Sequence, residues 1–149
     1  MSFALELANP RAGWLDVTVA LGPRIAFSAS HVLNDPLREL AELALFIASR
    51  DRGRCAVRFW LEPEGHELAA DRDDTLRLTW RSADRARPDL VEPRLVHARV
   101  VDAPRAIASE ILRALRDVQP HLPVDGNSGI WSHPFPVAQV ARLADALRR

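Results

Sequence analysis

The sequence predicts one α+β domain, an antiparallel sheet of about six strands with two or three helices packed on it. Three observations lead there. The 149 residues suit one domain, which at this size buries about 68–70% of the surface its unfolded chain exposes. Strand-like alternation comes in runs joined by short turns, unlike the strict strand–helix alternation of a parallel sheet. Apolar residues recur at three- to four-residue spacing in two long stretches and one short one. An apolar fraction of 48% and a charged fraction of 27% are ordinary for a globular protein and argue against disorder.

Residues 3–8 alternate, with Phe3, Leu5 and Leu7 inward. Pro10 and Gly13 predict a turn over 9–13. Residues 14–21 alternate again: Leu15, Val17, Val19 and Leu21 point one way, Trp14, Asp16, Thr18 and Ala20 the other. Gly22-Pro23 breaks the run, and 24–30 continue it, which predicts a hairpin. Asp35 can cap the free amides of a helix that Pro36 opens. Leu37, Leu40, Ala41, Ala44, Ile47 and Ala48 form its stripe, widened by Leu43, Leu45 and Phe46. Gly53 is a plausible stop.

Residues 55–62 predict a strand with Val57, Phe59 and Leu61 on one face and Ala56, Arg58, Trp60 and Glu62 on the other. Residues 66–70 predict a short return strand between turns at 63–65 and 71–74. In 75–81, Leu76, Leu78 and Trp80 alternate with Arg77, Thr79 and Arg81. The polar stretch 82–93 reads as a loop, and 94–101 as the last strand. A helix over 103–118 carries Ile107, Ile111, Ala114, Leu115 and Val118, with Arg105, Glu110, Arg113 and Asp117 toward water. Residues 124–136 read as irregular, and 137–148 as a short helix with Val140, Leu143, Ala144 and Leu147 on one side.

Charge narrows the function classes. Twenty basic residues balance twenty acidic ones, and every basic one is Arg. The balance holds along the chain, so the basic excess usual in nucleic-acid binders is absent, and nucleic acid is not an expected partner. No run approaches 18 apolar residues, so no membrane span is expected. Residues 1–13 lack the pattern of a signal peptide, and a cytoplasmic location is expected. Cys55 is alone and reads as a small buried hydrophobe.

Catalytic signals are sparse. A phosphate-cradling glycine loop, a Gly-x-Ser-x-Gly elbow and a Ser-x-x-Lys motif are all missing. Without Lys, Schiff-base chemistry is excluded. His31, His66, His97, His121 and His133 have neither the i, i+2 nor the i, i+4 spacing of a metal pair. No cofactor, metal site or catalytic residue is expected. The carboxylates at Glu62, Glu64 and Glu67 and at Asp71, Asp73 and Asp74 fall in or beside predicted turns, where they would be solvated.

Two constellations remain. If the central strands pair side by side, their non-core faces collect Arg58, Trp60, Arg77 and Arg81, and the last strand adds His97 and Arg99. Trp and Arg are enriched at interface hot spots, so this face is either a partner-binding surface or a solvated face crossed by ion pairs. Trp131 and Phe135 lie in a Gly- and Pro-rich segment. They either staple the last helix to the core or shape a loop for a partner.

The strand Trp14-Leu15-Asp16-Val17-Thr18-Val19, the Leu-rich helix from Leu37 to Ile47 and the strand end Phe59-Trp60-Leu61-Glu62-Pro63 occur in an order that resembles small bacterial immunity proteins of the wall-associated-protein toxin type. The resemblance covers roughly residues 14–118. It implies a cytoplasmic protein that binds and blocks one cognate toxin, and it brings no catalytic residues. The expectation is therefore a non-catalytic module that binds another protein. A ligand binder or enzyme with an Arg/His-lined pocket, built on His97, Arg77 or Arg99, is the alternative. The apolar helices are also compatible with a homo-oligomer.

Overall fold

Local chemistry sets the start of the topology. A computed structural model describes residues 3–61, 64–84, 94–123 and 129–149, with backbone alone at 83 and 84. β1 (Ala4–Arg11) and β2 (Trp14–Ala20) pair antiparallel around a two-residue turn, Arg11 opposite Trp14. Ala12 and Gly13 have φ of +47° and +82°, the paired positive values of a hairpin turn whose twist matches its strands. A Cβ on Gly13 would lie 2.1 Å from His31 Nε2. Gly13→Ala is therefore expected to destabilise the fold by about 1–3 kcal/mol, read as a lower urea midpoint.

The chain continues through β3 (Arg24–Ser30), α1 (Pro36–Ala48), β4 (Gly53–Trp60), β5 (Glu64–Arg72), β6 (Leu76–Asp84), β7 (Arg94–Val100), α2 (Pro104–Val118), a 3-10 turn (Gln119–His121) and α3 (Val137–Arg148). Among the described residues the seven strands form one antiparallel sheet in sequence order. The fold is α+β with three helices, and no helix is long and apolar enough to cross a membrane.

Several boundaries differ from the sequence reading. The sheet has seven strands because the short return at 66–70 is the nine-residue β5, paired along its length with both neighbours. β1 runs to Arg11 through a register shift, with Asn9 at φ +51°, where a turn was expected. Residues 82–84 extend β6. The rest of the expected loop, 85–93, lies outside the described residues, as do Glu62 and 124–128.

The helices follow their predicted signals. Asp35 Oδ1 accepts the Arg38 N–H at 3.2 Å, and Pro36 opens α1. All three helices contribute to one core, with α1 against β4 and α2 against β1. Arg113 is exposed, as expected, and Glu110 is partly buried; both also cap the outer edge of β1. Glu110 Oε2 accepts the Leu5 N–H at 3.0 Å, and Arg113 Nη2 donates to the Leu5 carbonyl at 2.7 Å. Arg113 also holds the Glu110 carboxyl below its ordinary range.

β3 and β4 meet at a single bridge, Ser30 opposite Trp60. The reason is local. The Arg58 N–H donates to Glu39 Oε1 at 3.1 Å, and the Arg58 carbonyl accepts from Asn34 Nδ2 at 2.7 Å. Side chains at the start of α1 thus take the groups that a longer ladder would use. The wedge between the two halves of the sheet is filled from inside by Phe27. Its ring stacks on His66 at 4.4 Å and lies 5.9 Å from Trp80.

Candidate binding face

Period-two alternation puts every second residue of β4, β5 and β6 on the face away from the core. The register then aligns these residues in rows. Arg58, Glu67 and Arg81 form one row, and Arg54, Asp71 and Arg77 form another. Between them runs a row of small residues, Ala56, Ala69 and Thr79, continued by Ala98 of β7. Trp60 pairs with Gly65 at one end, where a Cβ would come within 2.8 Å of its ring. The indole lies over the glycine because no side chain competes for the space.

Glu67 is the hub. Only 8% of it is exposed, although it sits on the outer face. Arg54 Nη2 donates to Oε1, Arg58 Nε donates to Oε2 at 3.2 Å, and Arg81 Nη1 lies 3.8 Å from Oε1. Arg81 Nη1 also donates to Thr79 Oγ1 at 3.0 Å, and Arg54 Nε lies 3.6 Å from Asp71. Ala69 and Thr79 of the small-residue row are buried. Arg77 is exposed.

The expected cluster is thus partly assembled. Arg58, Trp60, Arg77 and Arg81 share the outer face, with β5 between the two strands that carry them. His97 and Arg99 do not join them. His97 pairs with Trp80 and Arg99 with Leu78, on the face toward the core. The His97 ring fills the space where a Gly22 side chain would be. A pocket shared by Arg77 with His97 or Arg99 is therefore not formed. Trp131 is 1% exposed and belongs to the core. Arg54, Glu67 and Asp71 were missed. Reading 64–72 as one strand would have placed Glu67 and Asp71 opposite the arginines. Starting β4 at Gly53 would have added Arg54.

Among the described residues these rows hold four guanidiniums against two carboxylates, within a chain of zero net charge. Planar guanidinium forks held by a buried carboxylate are suited to carboxylates of a partner. Among the described residues no group of three or more His, Cys, Asp or Glu is arranged to hold a metal ion. Cys55 is half-buried, and burial pushes its thiol up, away from the reactive thiolate form.

A second polar cluster joins the end of β3 to the segment before α3. His31 Nδ1 accepts the Ser132 N–H at 3.3 Å and meets its hydroxyl, and His133 Nε2 donates to the His31 carbonyl at 2.8 Å. Burial, then the charge of His133, lowers the His31 pKa; burial lowers that of His66. The unfolded chain takes up protons near the ordinary histidine value of about 6.5, before the folded chain does. Stability therefore falls as pH drops below that value. Burial raises the carboxyls of Asp35 and Glu39, so the folded chain binds those protons first and the two oppose the loss at lower pH. The thermal midpoint is expected to be lower at about pH 5.5 than at about pH 7.5. His66→Phe, which keeps the stack on Phe27 and Trp80, is expected to flatten that slope.

No protein-family model matches this chain, and no curated protein or solved structure matches it significantly.

Proposed function

We propose that this protein is a non-catalytic binding module that docks an acidic protein surface on the outer face of β4–β6. The observation that carries this is the pair of Arg–acid–Arg rows on the face opposite the core that all three helices share. An Arg that emerges from a rigid sheet, already desolvated on one side, loses little entropy when a partner carboxylate arrives. Carboxylates interrupt both rows, which does not suit the continuous negative charge of a nucleic-acid backbone.

The concrete form is an immunity-type protein that binds and neutralises one cognate bacterial toxin in the cytoplasm. The resemblance of the Trp14–Val19 strand, the Leu37–Ile47 helix and the strand end at 59–63 to that class supports it. The test is co-expression with the adjacent gene product. The expected result is protection from its toxicity and a stoichiometric complex; failure of both overturns the reading. Arg77→Glu is expected to weaken the complex roughly 10- to 100-fold, the range of an interface hot spot, and to reduce its salt dependence. The thermal midpoint should stay unchanged, since Arg77 is exposed and none of the observed ion pairs involves it.

A further inference from the structure

The segment that leads into α3 is strapped to the sheet around one residue, His31. The Gly13 N–H donates to the Ile130 carbonyl at 2.9 Å, and the Gly13 carbonyl accepts the His31 N–H at 3.1 Å. The His31 ring Nδ1 accepts the Ser132 N–H at 3.3 Å and meets the Ser132 hydroxyl. The His31 carbonyl accepts from His133 Nε2 at 2.8 Å. Pro134 and Pro136 follow, each with a fixed φ, and the Val137 N–H donates to the Phe135 carbonyl at 2.7 Å. The strap is therefore stiff, and it runs directly into the first turn of α3. That helix packs on α1 and α2, so it can leave without breaking a strand pairing.

A ring nitrogen that accepts an N–H holds no proton, so His31 is neutral in the closed strap, with its one proton on Nε2. A second proton goes to Nδ1, turns it into a donor facing the Ser132 N–H and removes that bond. The charged groups around the ring are His133 from the strap and Asp35 from the start of α1, with Arg38 beside Asp35. Arg11, next to the β1–β2 turn, pairs with Asp16 at 2.9 Å. Burial and then the charge of His133 favour the neutral ring, and Asp35 opposes them. We propose that His31 is an acid-sensitive latch: proton uptake at Nδ1 frees residues 130–136, and α3 with them, in openings that leave the rest of the core folded. The open form binds that proton near the ordinary histidine value of about 6.5, so opening rises as pH falls through it. One proton permits at most about a tenfold rise per pH unit.

The test is amide exchange of the intact ¹⁵N-labelled protein at about pH 7.5 and about pH 5.5, read as protection factors so that the intrinsic pH dependence of exchange drops out. Protection of Ser132 and of residues 141–148 is expected to fall about three- to tenfold at the lower pH, and that of residues 108–118 in α2 to fall less. His66 acts on the whole fold and lowers both alike, so the difference between the two helices reports the latch. His31→Asn keeps an acceptor close to the position of Nδ1 and does not titrate; in this variant the difference is expected to lose its pH dependence. The long-range ¹H–¹⁵N spectrum of the wild-type imidazoles gives a second readout that needs no variant. It is expected to show the His31 proton on Nε2 at about pH 7.5, and a proton on Nδ1 there overturns the latch. Equal loss of protection in α2 and α3, or no loss in either, also overturns it, as does a difference that persists in folded His31→Asn.

Discussion

Trp131→Ala is expected to cost about 3–5 kcal/mol, the range for removing a large buried aromatic. That is a large share of the 5–15 kcal/mol that separates folded from unfolded states in ordinary domains. The indole is 1% exposed and lies 5.2 Å from the His31 ring. It anchors the segment that leads into α3, together with Phe135, which is also buried. The loss should appear as a lower urea midpoint and as faster amide exchange across 137–148. The indole N–H is buried without a hydrogen-bond partner, so the residue contributes by volume rather than by polarity. Trp131→Phe is therefore expected to recover most of the loss. Slow exchange in α3 of the alanine variant would refute the anchoring role.

Glu67→Ala is the second large effect and acts on the binding face. The substitution leaves Arg54, Arg58 and Arg81 around a vacated carboxylate site. Breaking a buried charge cluster on one side costs up to about 3–5 kcal/mol. Here the arginines are a third to more than a half exposed, and water screens what remains. The expected cost is about 1–3 kcal/mol, smaller at high salt, where the like charges are screened. Glu67→Gln keeps the shape and one acceptor and should fall between wild type and alanine. A denaturant midpoint insensitive to both variants would mean that the carboxylate does not organise the face.

Much of this architecture is legible locally. Asp35-Pro36 predicts the start of α1 because a carboxylate cap and a missing N–H both suit a first turn, and the cap bond is present. Alternation in 75–81 assigns Trp80 inward and Arg81 outward without knowledge of the neighbours. The same rule groups Arg58 with Trp60 and Arg77 with Arg81. It failed at Glu67 because three carboxylates near Pro63 and Gly65 carry the composition of a turn. β5 forms there nevertheless, since Leu68 and Ala70 bury inward and both flanking strands supply ladder partners. Tertiary context overrides a weak local preference.

The chain's own residues determined the α+β class, the helix boundaries, and the inward or outward side of residues within β1–β4 and β6. These depend on periodicity and capping, which act within a few residues of each other. Register and strand order belonged to the tertiary structure. A shift of one residue sends a side chain to the other face, so the alternation of β7 alone cannot say whether His97 faces Trp80 or Arg81. Pairing with β6, with a register shift beside Trp80, placed His97 and Arg99 toward the core. Pairing on both sides of β5 brought Glu67 among three arginines up to 27 residues apart in sequence. Such contacts depend on which strands meet, and no local pattern encodes that.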